Sequence, residues 1–385
     1  MQEYQRKSFL AILGIFGQLV EQVVAVSPTF LEHNLLNVEF LTEFYNCLNT
    51  ATQDEKIKGI VLLSGKPKSF IAGADCRTVE DGTALSLRCQ SVLNRIHTNL
   101  KPVIAGIMGS CMGGGFELAL ACDYRIAVNT KETVFALPEV KLGLLPAAGG
   151  CQRLPRLVIE GLNMILTGKS VPAITAKKLG IVDMLIQPSG AGVKEKGATA
   201  VEELEKNAVR VAQAILAKEV TVKRWRGFMT GSQALEHVFD IDLFKNMFLT
   251  YMANKVNKMT KGHYPAPPLI VNVVRKGYCL RCLLIKAFGL LLVTNESKNL
   301  IGLFNGTTAC KQNFFGQPAK PVKYSISSYL FISRLSDRCF QQHSVIAHEN
   351  EPSLLRSIDL VTKTLLFHLP LCEISVSVII SHIKN

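Results

Sequence analysis

Between about Glu21 and Asp183 the apolar residues fall into short unbroken blocks, separated by stretches in which they recur every three or four positions. Ile57–Leu63 (IKGIVLL) and Pro102–Met108 (PVIAGIM) have the length and branching of buried strands, and Thr83–Leu100 between them has helical spacing. Strand and helix in alternation predict an α/β fold. Lys194–Lys261 is rich in Glu, Lys, Ala and Leu at helical intervals, which predicts surface or packing helices, and Tyr264–Pro268 (YPAPP) reads as a helix stop. Two longer apolar stretches, Phe9–Val26 and Leu365–Ile380, are interrupted by Gln18, Glu21 and Gln22 and by His368, Pro370 and Glu373, so neither is expected to span a membrane. Tyr324–Asn385 differs again, with Ser clusters and five basic residues against five acidic ones. The chain contains no internal repeat.

Composition narrows the field of partners. A chain of 385 residues, 48% hydrophobic and 19% charged, can bury a full core and is not a disordered sequence. Its formal net charge of +13 favours partners that carry phosphate or carboxylate, and all of that excess lies before Tyr324. Nucleic acid is not the expected partner, because aromatic residues are only 7% and the basic residues are scattered. Eleven cysteines at irregular spacing, an odd number, read as reduced thiols that are mostly core residues. The start of the chain sets Arg6, Lys7 and Ser8 beside Glu3, which is not a clean transit peptide.

Chemistry concentrates in Lys101–Leu154. Here a strand ends in Gly113, Gly114 and Gly115, and a helix begins at once. A helix start exposes backbone N–H groups and positive potential, and glycine lets a ligand approach them, so the place suits an oxyanion. Glu117 falls in the first turn of that helix, and Glu139 follows Pro138 in an apolar loop 22 residues later. Carboxyls in apolar surroundings have raised pKa values, in the range useful for proton transfer, and two facing ones could hold a water. The same residues also fit a plainer account, in which Glu117 complements the helix dipole and Glu139 is a surface turn. A second loop, Ile71–Asp75 (IAGAD), could add another amide to the same oxygen. No GxGxxG, phosphate-loop, HExxH or GxSxG motif occurs, and no metal site is expected. Cys279 and Cys282 form a lone CxxC in apolar surroundings and read as buried thiols.

SFIAGAD, KPVIAGIMGSCMGGGFELALACDYRIA, ALPEVKLGLLPAAGGCQRLPRL and LTGKSVPAITAKKLGIVD resemble the crotonase (enoyl-CoA hydratase/isomerase) superfamily. Within it they are most similar to the hydratase portion of the multifunctional alpha subunits of mitochondrial fatty-acid oxidation. Later segments (KGHYPAPPLIVNVVRKG, VTNESKNLIGLFNG, CKQNFFGQPAKPVK) resemble the linker of those proteins. The resemblance implies a crotonase-like ββα spiral core over residues 1–190, a helical region and linker over 191–323, and a divergent tail over 324–385. It implies backbone amides of Ala74 and Gly114 as an oxyanion hole, Glu117 and Glu139 as the catalytic pair, and Ala72, Gly73 and Arg77 at the CoA substrate. Judged from its residue type alone, Arg77 reads as a solvated surface residue in preference to a phosphate contact. The implied reaction is syn addition of water to a trans-2-enoyl-CoA, with double-bond isomerisation as a neighbouring activity that needs chiefly the second carboxylate. Oligomerisation, or a complex with a thiolase-type subunit, a peripheral membrane contact and a mitochondrial location are further implications.

Two departures stand out. Where the family has PGAGG this chain has Pro146-Ala147-Ala148-Gly149-Gly150, and a positive φ at Ala147 would strain it by about 1 kcal/mol or more. An impaired subunit with an assembly or CoA-binding role is therefore the alternative expectation. The family's multifunctional members continue into a dinucleotide-binding domain, but KYSISSYLFISRLSDRCF contains no glycine, so neither an NAD site nor any other cofactor is expected.

Overall fold

The computed structural model describes residues 10–16, 19–25, 34–64, 66–74, 79–158, 160–188, 196–222, 242–276 and 281–311. All lie within one compact unit, Met1–Gln312. The expected tail from residue 324 onward, and with it the region on which the dinucleotide expectation rests, is outside the described residues, as are Arg77 and Cys279.

The chain winds in a ββα spiral. Each turn lays one strand in a large sheet, a second in a smaller sheet, and then a helix. Gly59–Ser64, Ser69–Ile71 and the helix Val79–His97 make one turn. Val103–Ile107, Ser110–Met112 and the helix Gly114–Ala121 make the next, and Tyr124–Val128, Val134–Ala136 and the 3-10 helix Pro138–Leu142 the third. The large sheet has the order Met184–Ile186, Tyr124–Val128, Val103–Ile107, Gly59–Ser64, Leu10–Phe16, Leu19–Ala25. Its first four strands are parallel, and the last two form an antiparallel hairpin on its edge. The interrupted apolar stretch near the N-terminus is thus this hairpin. In the smaller sheet Ser69–Ile71, Ser110–Met112 and Val134–Ala136 are neighbouring parallel strands.

The strand blocks are apolar without alternation because both faces of the large sheet are covered. Ile60, Leu62, Val103, Ala105 and Ile107 face the main core, whereas Val61, Leu63, Ile104, Ile126 and Val128 face the opposite way. That second face is closed by Ala200, Leu204, Ala208, Val211 and Ala212 of the helix Lys196–Leu216. The break expected near residue 190 therefore separates a helix from the sheet it covers. The helix Arg281–Leu292 likewise packs on Val79–His97. YPAPP ends one helix, as expected, but Ala266, Pro267 and Pro268 also open the next, Ala266–Lys276, where proline in the first turn forfeits no hydrogen bond. No helix among the described residues is long and apolar enough to cross a membrane.

A buried ion pair fastens the outer parallel strand. Arg125 Nη2 lies 2.8 Å from Asp183 Oδ2, and the Arg125 side chain also donates to the carbonyls of Ile181 and Cys122 at 2.7 and 2.9 Å. Asp183→Ala would leave the guanidinium buried without its counter-ion. A loss of about 3–5 kcal/mol of unfolding free energy is expected, read by urea denaturation.

Candidate active site

Three strand ends converge here. Ser69–Ile71, Ser110–Met112 and Val134–Ala136 run side by side in parallel, and the residues just past them are Ala72–Ala74, Gly113–Glu117 and Leu137–Glu139. The first loop is pinned by Asn34, which is buried. Its Nδ2 donates to Ser64 Oγ at 3.0 Å and to the Phe70 carbonyl at 2.9 Å, and its own carbonyl accepts from Ala72 N at 2.9 Å. Gly73–Ala74 then pairs as a short parallel strand with Leu35–Leu36, and Ala74 stays exposed.

The three consecutive glycines each answer a different demand. Gly113 sits at φ +54°, and a Cβ there would lie 3.2 Å from Glu139 Oε1 and 3.7 Å from Gly73 Cα. Gly114 opens the helix, so its N–H has no intrahelical acceptor. At Gly115 a Cβ would come within 2.5 Å of Ile71, so only glycine lets the helix lie on that strand. The helix itself is apolar all round and buried all round, which is why Glu117 goes down with it, at 3% exposure.

Glu117 is met by the loop after Leu145. Its Oε1 accepts from Ala148 N at 2.9 Å and from Gly150 N at 2.6 Å. Arg153, buried beside it, donates Nη1 to the Ala148 carbonyl at 3.1 Å. The Ala147 carbonyl accepts from Ser86 Oγ at 3.2 Å and from Gln90 Nε2 at 2.6 Å. Ala147 does not have the positive φ that would strain it. Among the described residues only Lys218 and Lys261 do so without being glycine, and the left-handed step falls on Gly149 at φ +118°.

Glu139 is presented by one 3-10 turn rather than by an irregular loop. Pro138 opens this turn, and Gly143 closes it at φ +70°. The helix Asn295–Lys311 braces it from behind: Ser297 is fully buried, and a Cβ on Gly143 would lie 3.0 Å from its Cα. Glu139 Oε2 is buried and makes no hydrogen bond.

These surroundings split two identical acids. Burial pushes the Glu117 carboxyl up to about 6, held back from further rise by the Gly150 and Ala148 N–H groups and by the Arg153 charge. Burial pushes Glu139 well above the usual carboxylate range, and the charge of Glu117 pushes it further. Both carboxyls are thus held above the usual carboxylate range, and because each charge disfavours the other they take up and release protons as a pair. The Cys151 thiol, also driven up by burial and by both carboxylates, stays neutral.

The structure brings Glu117, Glu139, Gly73 and Gly114 to one place, with Ala72 and Ala74 on the adjoining loop. Sequence reasoning did not find Asn34, Ser86, Gln90, Arg153 or the amides of Ala148 and Gly150. Asn, Ser and Gln inside apolar helical or strand patterns were the available signal, since a buried polar side chain requires a partner. Among the described residues no group of three metal-ligating side chains comes together. Cys47, Cys89, Cys111, Cys122 and Cys151 are buried as thiols.

A pH-dependent stability test follows from Glu139. Its native carboxyl keeps a proton that the unfolded chain releases near pH 4.3. Its contribution to stability is thus complete below that pH and is lost as pH rises through the native value. Glu139→Gln cannot ionise, so its melting temperature is expected to exceed that of the unaltered protein at pH 8, with the gap narrowing at pH 5. Thermal denaturation across this range is the measurement.

Comparison with known proteins agrees with this geometry. Residues 27–258 match the family model for enoyl-CoA hydratase/isomerase. The chain is 38% identical over 292 residues to the fatty acid oxidation complex subunit alpha of Shewanella loihica, covering 72% of this chain and 38% of that protein. It is 37% identical over 303 residues to the same subunit of Shewanella sp. strain MR-4, covering 75% and 40%. The chain thus spans about two fifths of the length of these relatives. Human mitochondrial delta3-delta2-enoyl-CoA isomerase superposes with a TM-score of 0.51 at 18% identity, over 72% of this chain and 91% of that one, which shows a shared fold. With its spiral of strands, its paired glutamates and this family match over more than half its length, the chain belongs to the enoyl-CoA hydratase/isomerase family.

Proposed function

We propose that the chain is an enoyl-CoA hydratase of fatty-acid oxidation, adding water in the syn sense to a trans-2-enoyl-CoA to give a 3-hydroxyacyl-CoA. The observation that carries this reading is the meeting of two neighbouring carboxyls in unequal surroundings: Glu117 Oε1 accepts the N–H groups of Ala148 and Gly150, whereas the buried Glu139 Oε2 accepts no hydrogen bond. Addition of water needs a base and an acid at once, and in this reading Glu117 is the base and Glu139 the acid.

In this reading the thioester carbonyl oxygen rests on the N–H groups of Ala74 and Gly114. Glu117 Oε2 takes a proton from water as the water oxygen bonds to C3 of the enoyl group. The C2–C3 π pair moves toward the carbonyl, and the negative charge gathers on the thioester oxygen. Donors already aimed at that oxygen contribute about 3–4 kcal/mol each in comparable oxyanion holes. Glu139 then delivers its proton to C2, and transfer of a proton from Glu117 back to Glu139 resets the pair. Glu117 Oε1 stays bound to Ala148 and Gly150 throughout, which leaves the other oxygen to the water. Ala72, Gly73 and Arg77 are proposed as contacts of the CoA thioester and its phosphates. The reaction as proposed calls on no cofactor.

Association with further subunits of a fatty-acid-oxidation complex and a mitochondrial location are proposed from the resemblance alone; the two Shewanella relatives described above are bacterial. Hydration of crotonyl-CoA, followed as loss of the enoyl-thioester absorbance, tests the assignment. Glu117→Gln and Glu139→Gln are each expected to lower kcat by about 10²–10⁴ while CoA binding is retained. A chain that binds CoA but turns over neither crotonyl-CoA nor a long-chain enoyl-CoA would be the impaired assembly subunit instead.

A further inference from the structure

We propose that Gln90 and Ser86 are positioning residues for Glu117, acting through the single peptide unit that joins Ala147 to Ala148. The proposal deepens the hydratase reading, since it assumes that Glu117 is the group that activates water.

The two side chains stand four residues apart on one face of the helix Val79–His97, and both are buried. They direct their donors at the same atom, the Ala147 carbonyl oxygen, at 2.6 Å for Gln90 and 3.2 Å for Ser86. The other end of that peptide unit is the Ala148 N–H, which donates to Glu117 Oε1 at 2.9 Å. A peptide unit is planar, so fixing the direction of its carbonyl fixes the direction of its N–H. Donors on the carbonyl also polarise the unit and strengthen the N–H at its far end. Gln90 and Ser86 therefore aim and reinforce a hydrogen bond to Glu117 without touching it. The carbonyl of the following residue is held separately, by Arg153.

A polar pair is an unusual choice for this place. Gln90 is flanked on its own helix by Leu85, Cys89 and Leu93, all core residues. A buried amide there costs stability unless it is bonded, and an apolar residue would fill the space more simply. Retention of both donors on one carbonyl is accounted for by what lies across the peptide. The charged and titratable groups that face Glu117 are Arg153 and Cys151 from the helix Gly150–Leu157 and Glu139 from the 3-10 helix. The two side chains of the helix Val79–His97 that bond to this loop, Ser86 and Gln90, are uncharged, so removing their donors changes no charge.

Gln90→Met keeps the volume of the side chain and removes its N–H; Ser86→Ala removes the second donor. With the Glu117 bond misaimed, its carboxylate loses stabilisation and its pKa rises. In Gln90→Met an upward shift of about one unit is expected, the size of losing one hydrogen bond to a charged group. The readout is a carbon-13 NMR titration of the glutamate carboxyls, with the Glu117 signal assigned by its loss in Glu117→Gln. The acid limb of kcat/KM for crotonyl-CoA moves to higher pH in step, and kcat falls about tenfold with KM changed less than about twofold. Ser86→Ala shifts the titration in the same direction by less, and decides the matter if Gln90→Met does not fold. An unshifted Glu117 titration in the folded variants overturns the proposal. Absence of turnover in the unaltered protein overturns the hydratase reading instead, and the NMR titration still decides whether the clamp acts on Glu117.

Discussion

Two carboxylates shut into one apolar enclosure cannot both carry charge without a large cost in lost hydration and mutual repulsion. This constraint governs the site. The protein answers it unevenly: two backbone N–H groups and a guanidinium attend Glu117, while Glu139 Oε2 has no donor at all. The asymmetry makes the two carboxyls chemically unequal although their side chains are identical. Had the amides of Ala148 and Gly150 pointed elsewhere, Glu117 would lose the hydrogen bonds that hold its rise in check.

The spiral supplies what this constraint requires. Neighbouring parallel strands in the smaller sheet end at the same level, so residues far apart in sequence are delivered within a few ångströms of each other. A helix and a 3-10 turn then leave those strand ends in different directions, which carries Glu117 inward and sets Glu139 beside Gly113. The larger sheet and the helix Lys196–Leu216 that covers its far face carry neither glutamate. They back the strands, and the helix Asn295–Lys311, much later in sequence, braces the turn that bears Glu139.

Much of this was legible in the chain. Unbroken apolar blocks at Ile57–Leu63 and Pro102–Met108 signal strands covered on both faces, and the structure has them so. Gly113–Gly115 and the two glutamates stood out within an apolar run, but their residue types alone also fitted a turn, a helix-dipole partner and a surface residue, and it was the family resemblance that singled them out. What was hidden is whatever depends on backbone direction. Nothing in the letters Ala147-Ala148-Gly149-Gly150 reveals that two of their N–H groups turn toward Glu117, or that the left-handed step falls on Gly149 and spares Ala147. The N-terminal hairpin was missed for a related reason: its polar residues read as interruptions, although an edge hairpin accommodates them. The attachment of Lys196–Leu216 to the sheet was hidden because helical spacing identifies an apolar stripe but not the surface that receives it.

The Arg125–Asp183 pair has a bearing on biosynthesis. Its partners are separated by 58 positions, and the intervening chain contains Glu139 and the whole loop that grips Glu117. As the polypeptide leaves the ribosome, the strands around residues 60, 105 and 126 can dock in the order in which they emerge, since each lies beside its predecessor. The last parallel strand cannot be latched until Asp183 has cleared the exit tunnel, and until then a buried guanidinium lacks its counter-ion. Nascent chains shorter than this carry Glu117 and Glu139 on an unlatched sheet, the stage at which a chaperone would find most to hold.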